Sequence, residues 1–254
     1  MSEGETKIAL SLPGEWALQK AFGPALSEFG EDLKKLYAKG RDKLLSVAYR
    51  KIHDHGDGKQ ANLRVIRDVL WNGAFTDDEV CAEYFGGILA ASRSDDGKDD
   101  GAIQFVGVIK SLSAKQLRLH YIIYNCLNKL LVAAGTPVNV GSGDKVHAKQ
   151  VWFATQELRR ELKLRIETDL NILLRHGVLT RYRTDAHTLS DKTVIPYTSV
   201  APNTFGILLY AAAHNRLDEW RTFDQKDFGN FPDVPLPTLY APTLEDLLKK
   251  GGVP

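Results

Sequence analysis

The residue types that could do chemistry in this chain fall into a few short groups. His53-Asp54-His55-Gly56-Asp57 has the side chains of a metal site. Metal ligands must converge on one point, whereas His53 and His55, two residues apart, would leave different sides of a helix. No cysteine or further histidine lies nearby in the sequence, so the run reads as a loop after a helix end and no metal is expected. Asp95, Asp96, Asp99 and Asp100 look like a calcium loop, but an EF-type loop opened by Asp95 needs a bidentate Glu where Val106 stands. A flexible acidic linker is expected there. The GSGDK run at 141–145 lacks the spacing of a phosphate-binding loop and has no Ser or Thr after the lysine. Cys81 and Cys126 fall within apolar helical patterns and read as reduced core thiols. With no G-x-S-x-G, H-E-x-x-H or Walker sequence, no catalytic residue and no cofactor are expected, and an enzyme site assembled from distant residues is the least supported reading.

The positive charges are more informative. The 254 residues carry a net charge of only +1, which argues against binding polyanions over the whole surface but permits a local basic patch. One cluster, Lys34, Lys35, Lys39, Arg41, Lys43, Arg50 and Lys51, reads as the solvated side of a helix. A second lies between Lys149 and Arg183, where eight Lys or Arg face four Asp or Glu. No apolar run approaches the ~18 residues of a membrane span, and MSEGETKIAL lacks a secretion signal. The chain reads as cytoplasmic.

Helices must position these groups. In Thr76–Ser92 the apolar residues Val80, Cys81, Tyr84, Phe85, Ile88 and Leu89 recur as adjacent pairs every four residues. Thr76 with Glu79 forms a capping box at its start. Gly86 and Gly87 cost about 1 kcal/mol each in a helix interior relative to alanine, so a second helix pressed close is expected, and this helix is the expected hub. Before it, a helix seam is predicted from Leu12 to about Tyr37, with Pro24 kinking or restarting it. A second stretch after Gly40 has Leu44, Leu45, Ala48, Tyr49 and Ile52 on one face, and a short helix spans Asn62–Asn72. Ser113 with Gln116 is a second capping box, opening a helix over Ala114–Ala134 that is apolar on many sides and is ended by Gly135 and Pro137.

After Pro137 the texture changes. A helix is predicted over Gln150–Leu164, with Trp152 and Phe153 inward and Arg159, Arg160 and Lys163 outward. A short helix, Thr168–His176, ends at Gly177. Leu179–Thr184 and Val194–Val200 read as paired strands around the polar turn Asp185–Lys192. The expected fold is mainly α: a helical bundle (1–137), a winged-helix-like module with a two-stranded β-hairpin (138–214), and an extended proline-rich C-terminal arm (215–254). Phe223, Phe228, Phe231, Leu236, Leu239 and Tyr240 make that arm too apolar to hang free. It should lie across this bundle or across that of a second copy, and close with a short helix capped by Thr243. On the winged-helix reading Thr168–His176 takes the recognition position, Arg181 and Arg183 sit at the wing, and Lys163, Arg165, Arg175, Arg181 and Arg183 contact phosphates of a nucleic acid or a protein partner. Leu170, Ile172, Leu173 and Leu174 cannot hydrogen-bond a base edge, which favours protein docking.

The residues Val69-Leu-Trp71, Phe75–Glu79, Tyr84–Ala90 and Phe105–Ser113, with Gly177-Val-Leu179, Pro202 and Phe205-Gly206, resemble the Abi-alpha (abortive infection) family of bacterial helical proteins over residues 60–210. The resemblance implies a role in resistance to phage and transfers no active site. Two functions are therefore expected of the chain: a non-catalytic binding or sensing component of a bacterial phage-defence system, or a winged-helix nucleic-acid-binding transcriptional regulator.

Overall fold

In the computed structural model, which describes residues 24–190 and 192–251, the chain is mainly α-helical, with ten α-helices, one 3-10 helix and two antiparallel sheets among the described residues. The expected features in residues 1–23, including the seam from Leu12 and Pro13, lie outside the described residues.

The expected hub is where the helices meet. α1 (Pro24–Lys51), α2 (Leu63–Gly73) and α3 (Glu79–Ala91) pack on one another, and every residue of α3 from Val80 to Ala90 is buried. Its two glycines serve two different neighbours. A Cβ on Gly86 would press on Val47 of α1 at 2.7 Å, and one on Gly87 would overlap the backbone carbonyl of Ala213. α1 runs unbroken through Gly40, where a Cβ would strike the Ala74 carbonyl, so this glycine marks a close approach and not a helix boundary. That contact also sets which face of α1 is inside. Leu44, Val47 and Ala48 are buried, whereas Leu45 and Tyr49, expected inward, are exposed. The α3 cap lies two residues later than expected: Asp78 is the N-cap and accepts from Val80 N and Cys81 N, while Thr76 Oγ1 accepts from Asp78 N. The acidic run after α3 is tied down. β1 (Gln60–Ala61) pairs with β2 (Arg93–Ser94), Arg64 bonds Asp100, and Arg93 bonds Asp57.

α4 (Ile103–Ile109) leads to α5 (Ala114–Ala134), which has the Ser113–Gln116 capping box and ends at Gly135 in the left-handed region. α5 contacts α3 on one side and the β-containing region on the other. After α6 (Gly143–His147) the predicted helix over 150–164 is corrected. Val151–Ala154 is strand β3, and the helix α7 starts at Thr155 and ends at Leu162. Val, Trp and Phe favour a pleated, half-buried setting, and β3 finds partners on both edges. β5 (Val194–Ala201) lies on one side and β6 (Tyr240–Ala241), contributed by the arm, on the other. With β4 (Arg181–Thr188) beyond β5, the sheet has four strands in the order β4-β5-β3-β6, not the two expected. α8 (Ile166–Arg175), starting two residues before the predicted Thr168, precedes β4, and its N-cap position, Arg165, makes no side-chain cap.

α9 (Thr204–Ala213) returns from the sheet to the hub, capped by Asn203. Beyond the 3-10 helix Leu217–Thr222, the arm lies on its own bundle. Asn128 donates to the carbonyls of Phe223 and Lys226 and accepts from Phe228 N; Tyr121 Oη accepts from Phe231 N. The buried Glu157 of α7 accepts from Thr238 N, Thr238 Oγ1 and Leu239 N, holding the strand-forming end of the arm at the sheet edge. α10 (Leu244–Lys250), capped by Thr243, packs its Leu244 and Leu247 with Trp152, Tyr197 and Ala241 on the outer sheet face. One continuous apolar core runs from Leu44 of α1 to Val234 of the arm.

Candidate functional site

Two regions hold charge in arrangements that can act on something outside the fold. The first is built on α7, α8 and the hairpin. α8 turns Ile166, Leu170 and Leu173 inward and leaves Glu167, Thr168, Asn171 and Arg175 exposed. At 3.6 residues per turn these four form one stripe. The apolar residues that argued against base contact are mostly on the other side: Leu170 and Leu173 are fully buried, and Ile172 and Leu174 are half-buried against the core. The outward stripe carries a hydroxyl, a carboxamide and a guanidinium, side chains able to hydrogen-bond a base edge.

The eight cations counted between Lys149 and Arg183 are all exposed. Of the four acids, Glu157 is consumed by the arm, and Asp169 is consumed by Arg165 N and Gln116 Nε2. Glu167 pairs with Arg159 at 3.1 Å. Among the described residues Lys149, Lys163, Arg165, Arg175 and Arg181 make no ion pair. Lys163, at the end of α7 with φ 49°, and Arg165 share the α7–α8 turn. Arg175 is one α8 length, about 15 Å, away.

Arg181 and Arg183 lie on the hairpin, in the strand predicted over Leu179–Thr184. They lie in the first half of β4, and the hairpin closes where Leu189 N donates to the Thr193 carbonyl and Lys192 N to the Leu189 carbonyl. Tyr182 reaches back to accept its place beside α8 by donating to the Glu167 carbonyl. Arg181 and Arg183 alternate with it, on the face that carries Tyr197. Arg183 is spoken for: it bonds Asp185, which holds that carboxyl below the usual carboxylate range, and it sits 5.9 Å from the Tyr197 ring centre. The five residues therefore divide into a turn pair, a helix-end residue and an outer-face strand pair. Thr168 and Asn171, not singled out as contacts from the sequence, share the exposed stripe with Arg175; their three-residue spacing, continued four on by Arg175, is the signal that places them there.

The second region lies under the ends of α1 and α9. Lys51 Nζ is 2.6 Å from Glu83 Oε2 and donates to the carbonyls of Glu83 and Ala213. Burial lowers the Lys51 ammonium to about 8, with the Glu83 charge opposing the shift. Burial pushes His214 well below its usual range, and the charges of Lys51 and Arg216 act in the same direction. Deeper in, His120 bonds Tyr84 Oη and is lowered to about 3 by burial. Cys81 and Cys126 are free and buried, and burial raises both thiols.

At His53–Asp57, His55 stacks on Tyr49 at 3.9 Å and Asp57 is bound by Arg93. Among the described residues no three His, Cys, Asp or Glu side chains are grouped to hold a metal ion, and no helix is long and apolar enough to cross a membrane. No family model, curated protein or solved structure matches the chain.

Proposed function

We propose that α5 to β5 act as a winged-helix module that binds duplex DNA, with the α7–α8 turn and the exposed stripe of α8 as the contact surface. The order helix, short helix, strand, helix, helix, strand, turn, strand, and the β4-β5-β3 sheet, support that reading. The observation that carries it is the imbalance of answered charge: five of the eight exposed cations, Lys149, Lys163, Arg165, Arg175 and Arg181, make no ion pair among the described residues, while Glu157 and Asp169 are spent inside the fold. Lys163 and Arg165 contact phosphates and position the module, while Thr168, Asn171 and Arg175 face the bases. A major groove of B-form width admits a helix; the deep, narrow groove of duplex RNA does not. The likeness to the Abi-alpha family supplies the setting, a non-catalytic sensing component of bacterial phage defence.

The test is binding of labelled duplex DNA followed by fluorescence anisotropy across a salt series. Binding should weaken linearly in log–log form, because each neutralised phosphate releases counterion. Lys163→Glu with Arg165→Glu and Arg175→Glu should abolish it while circular dichroism stays unchanged. No binding by the wild type at low salt would sink the nucleic-acid reading and leave the same face as a protein-docking surface. In cells, the wild type should lower phage plating and the triple variant should not.

A further inference from the structure

Where α1 and α9 end, a cavity of about 420 Å³ opens between Arg50, Glu83, His214, Arg216, Phe228 and Phe231. That volume is within the range of small-molecule sites, roughly 300–1,000 Å³. Two helix C-termini meet here, and their partial negative charge by itself explains one cation. Lys51 is that cation: three oxygens, from Glu83 Oε2 and the carbonyls of Glu83 and Ala213, enclose its ammonium and leave it nothing to offer a ligand.

The two arginines are not explained this way. Arg50 is half-exposed and bonds Glu83 through Nη2 alone, so most of its five N–H groups are unspent. Arg216, 4.2 Å from the Phe228 ring centre, gives Nε and Nη2 to Glu219 and Nη1 to the Asp227 carbonyl, which leaves one N–H on each of Nη1 and Nη2 for a ligand. Glu219 is shared with Lys226 at 2.7 Å. The cavity wall therefore has three cations against two carboxylates, both of which are already engaged. The remaining lining is His53, His214, Phe228 and Phe231, with Asn230 and Pro232. Phe231 stacks on His214 at 4.5 Å, and the buried His214 Nε2 has no hydrogen-bond partner.

We propose that this cavity binds a small organic anion with a ring-sized apolar body, its acid group on the Arg50 and Arg216 guanidinium groups and its body against Phe228 and Phe231. A guanidinium takes either a carboxylate or a phosphate through paired N–H donors, so the acid group is the shared chemistry and the probes separate its sources. The site is independent of the DNA-binding reading, since none of its residues belongs to α7, α8 or the hairpin.

Isothermal titration of the full chain with benzoate, phenyl phosphate, inorganic phosphate and uncharged benzamide tests it. Saturable one-site binding is expected for benzoate or phenyl phosphate, with inorganic phosphate and benzamide about tenfold weaker or worse. Arg50→Gln, which leaves the Lys51–Glu83 pair in place, should weaken the aromatic anion about tenfold, and Arg216→Gln similarly where its melting curve shows it folded. Arg175→Glu should leave the titration unchanged, separating this cavity from the basic face of α8. The proposal is overturned if neither aromatic anion gives saturable heat, if inorganic phosphate binds as tightly, or if Arg50→Gln binds as the wild type does.

Discussion

α3 and α8 are both short helices carrying acidic and apolar residues, yet the fold treats them in opposite ways. In α3 the chain buries everything from Val80 to Ala90, and the one charge taken inside, Glu83, is met by Lys51 and Arg50. In α8 three residues are buried, and Arg175 at its end has no ion-pair partner among the described residues. A charge answered inside the protein is part of its architecture. One left unanswered on a fixed surface is available to something else, because its field is not cancelled locally. The contrast also holds among the arginines themselves: Arg183, in the same basic stretch as Arg175, is answered by Asp185.

The sharpest way to break the comparison is at Gly87. Its Cβ position is filled by the Ala213 carbonyl, and backbone cannot step aside as a side-chain tip can. Gly87→Ala should therefore destabilise by about 3 kcal/mol or more, at or above the usual cost of overpacking a core, read as a lowered midpoint in urea. An unchanged midpoint would mean that α3 and α9 are not in contact. Next is the buried pair. Lys51→Met leaves Glu83, 4% exposed, with only the half-exposed Arg50, and a cost of about 3 kcal/mol is expected for an uncompensated buried charge. The same change in the basic stretch, Arg175→Met, should leave the midpoint within about 0.5 kcal/mol.

Acid should destabilise the hub. The unfolded chain protonates His120 near 6.5, whereas the folded chain holds it neutral down to about 3. Between those values the unfolded state binds the extra proton. Stability therefore falls as pH is lowered through that window, by about 1.4 kcal/mol per pH unit for this one group. His214, lowered in the same direction, adds to the slope. Urea midpoints measured from pH 7 to pH 5 should show the loss, and His120→Gln should flatten it. The smallest effects are expected in DNA binding. Each of Lys163→Gln and Arg165→Gln should reduce the salt slope by about 0.9, the value for one phosphate contact, and Arg183→Gln should leave it unchanged because Asp185 already holds that guanidinium. A loss at Arg183 equal to that at Arg165 would show that an internal partner does not remove a charge from the binding surface.

Much of the helical content was legible because it is written locally. The Ser113–Gln116 box stands where the side chains alone place it, since both of its hydrogen bonds are made within one turn. The paired apolar steps of Thr76–Ser92 and the adjacent glycines identified the hub for the same reason: spacing along a helix determines which residues share a face. Thr243 capping the last helix is a third instance.

What the sequence left undecided depended on partners remote in the chain. Val151–Ala154 carries only a four-residue β-propensity, too short to decide against the start of a helix; β5, some 45 residues on, and β6, nearly 90 on, make it a strand by filling both of its edges. Nothing local says whether Leu44 and Val47 or Leu45 and Tyr49 face inward on α1; the close approach of Gly40 to Ala74 decides it. The candidate site was divided in the same way. Its eight cations can be counted from the residues alone, but the acids opposing them cannot be discounted until the arm is seen on Glu157 and the α7–α8 turn on Asp169. Electrostatic availability is a difference between charges present and charges answered. Composition supplies the first quantity, and only the tertiary structure, by bringing distant partners within hydrogen-bonding reach, supplies the second.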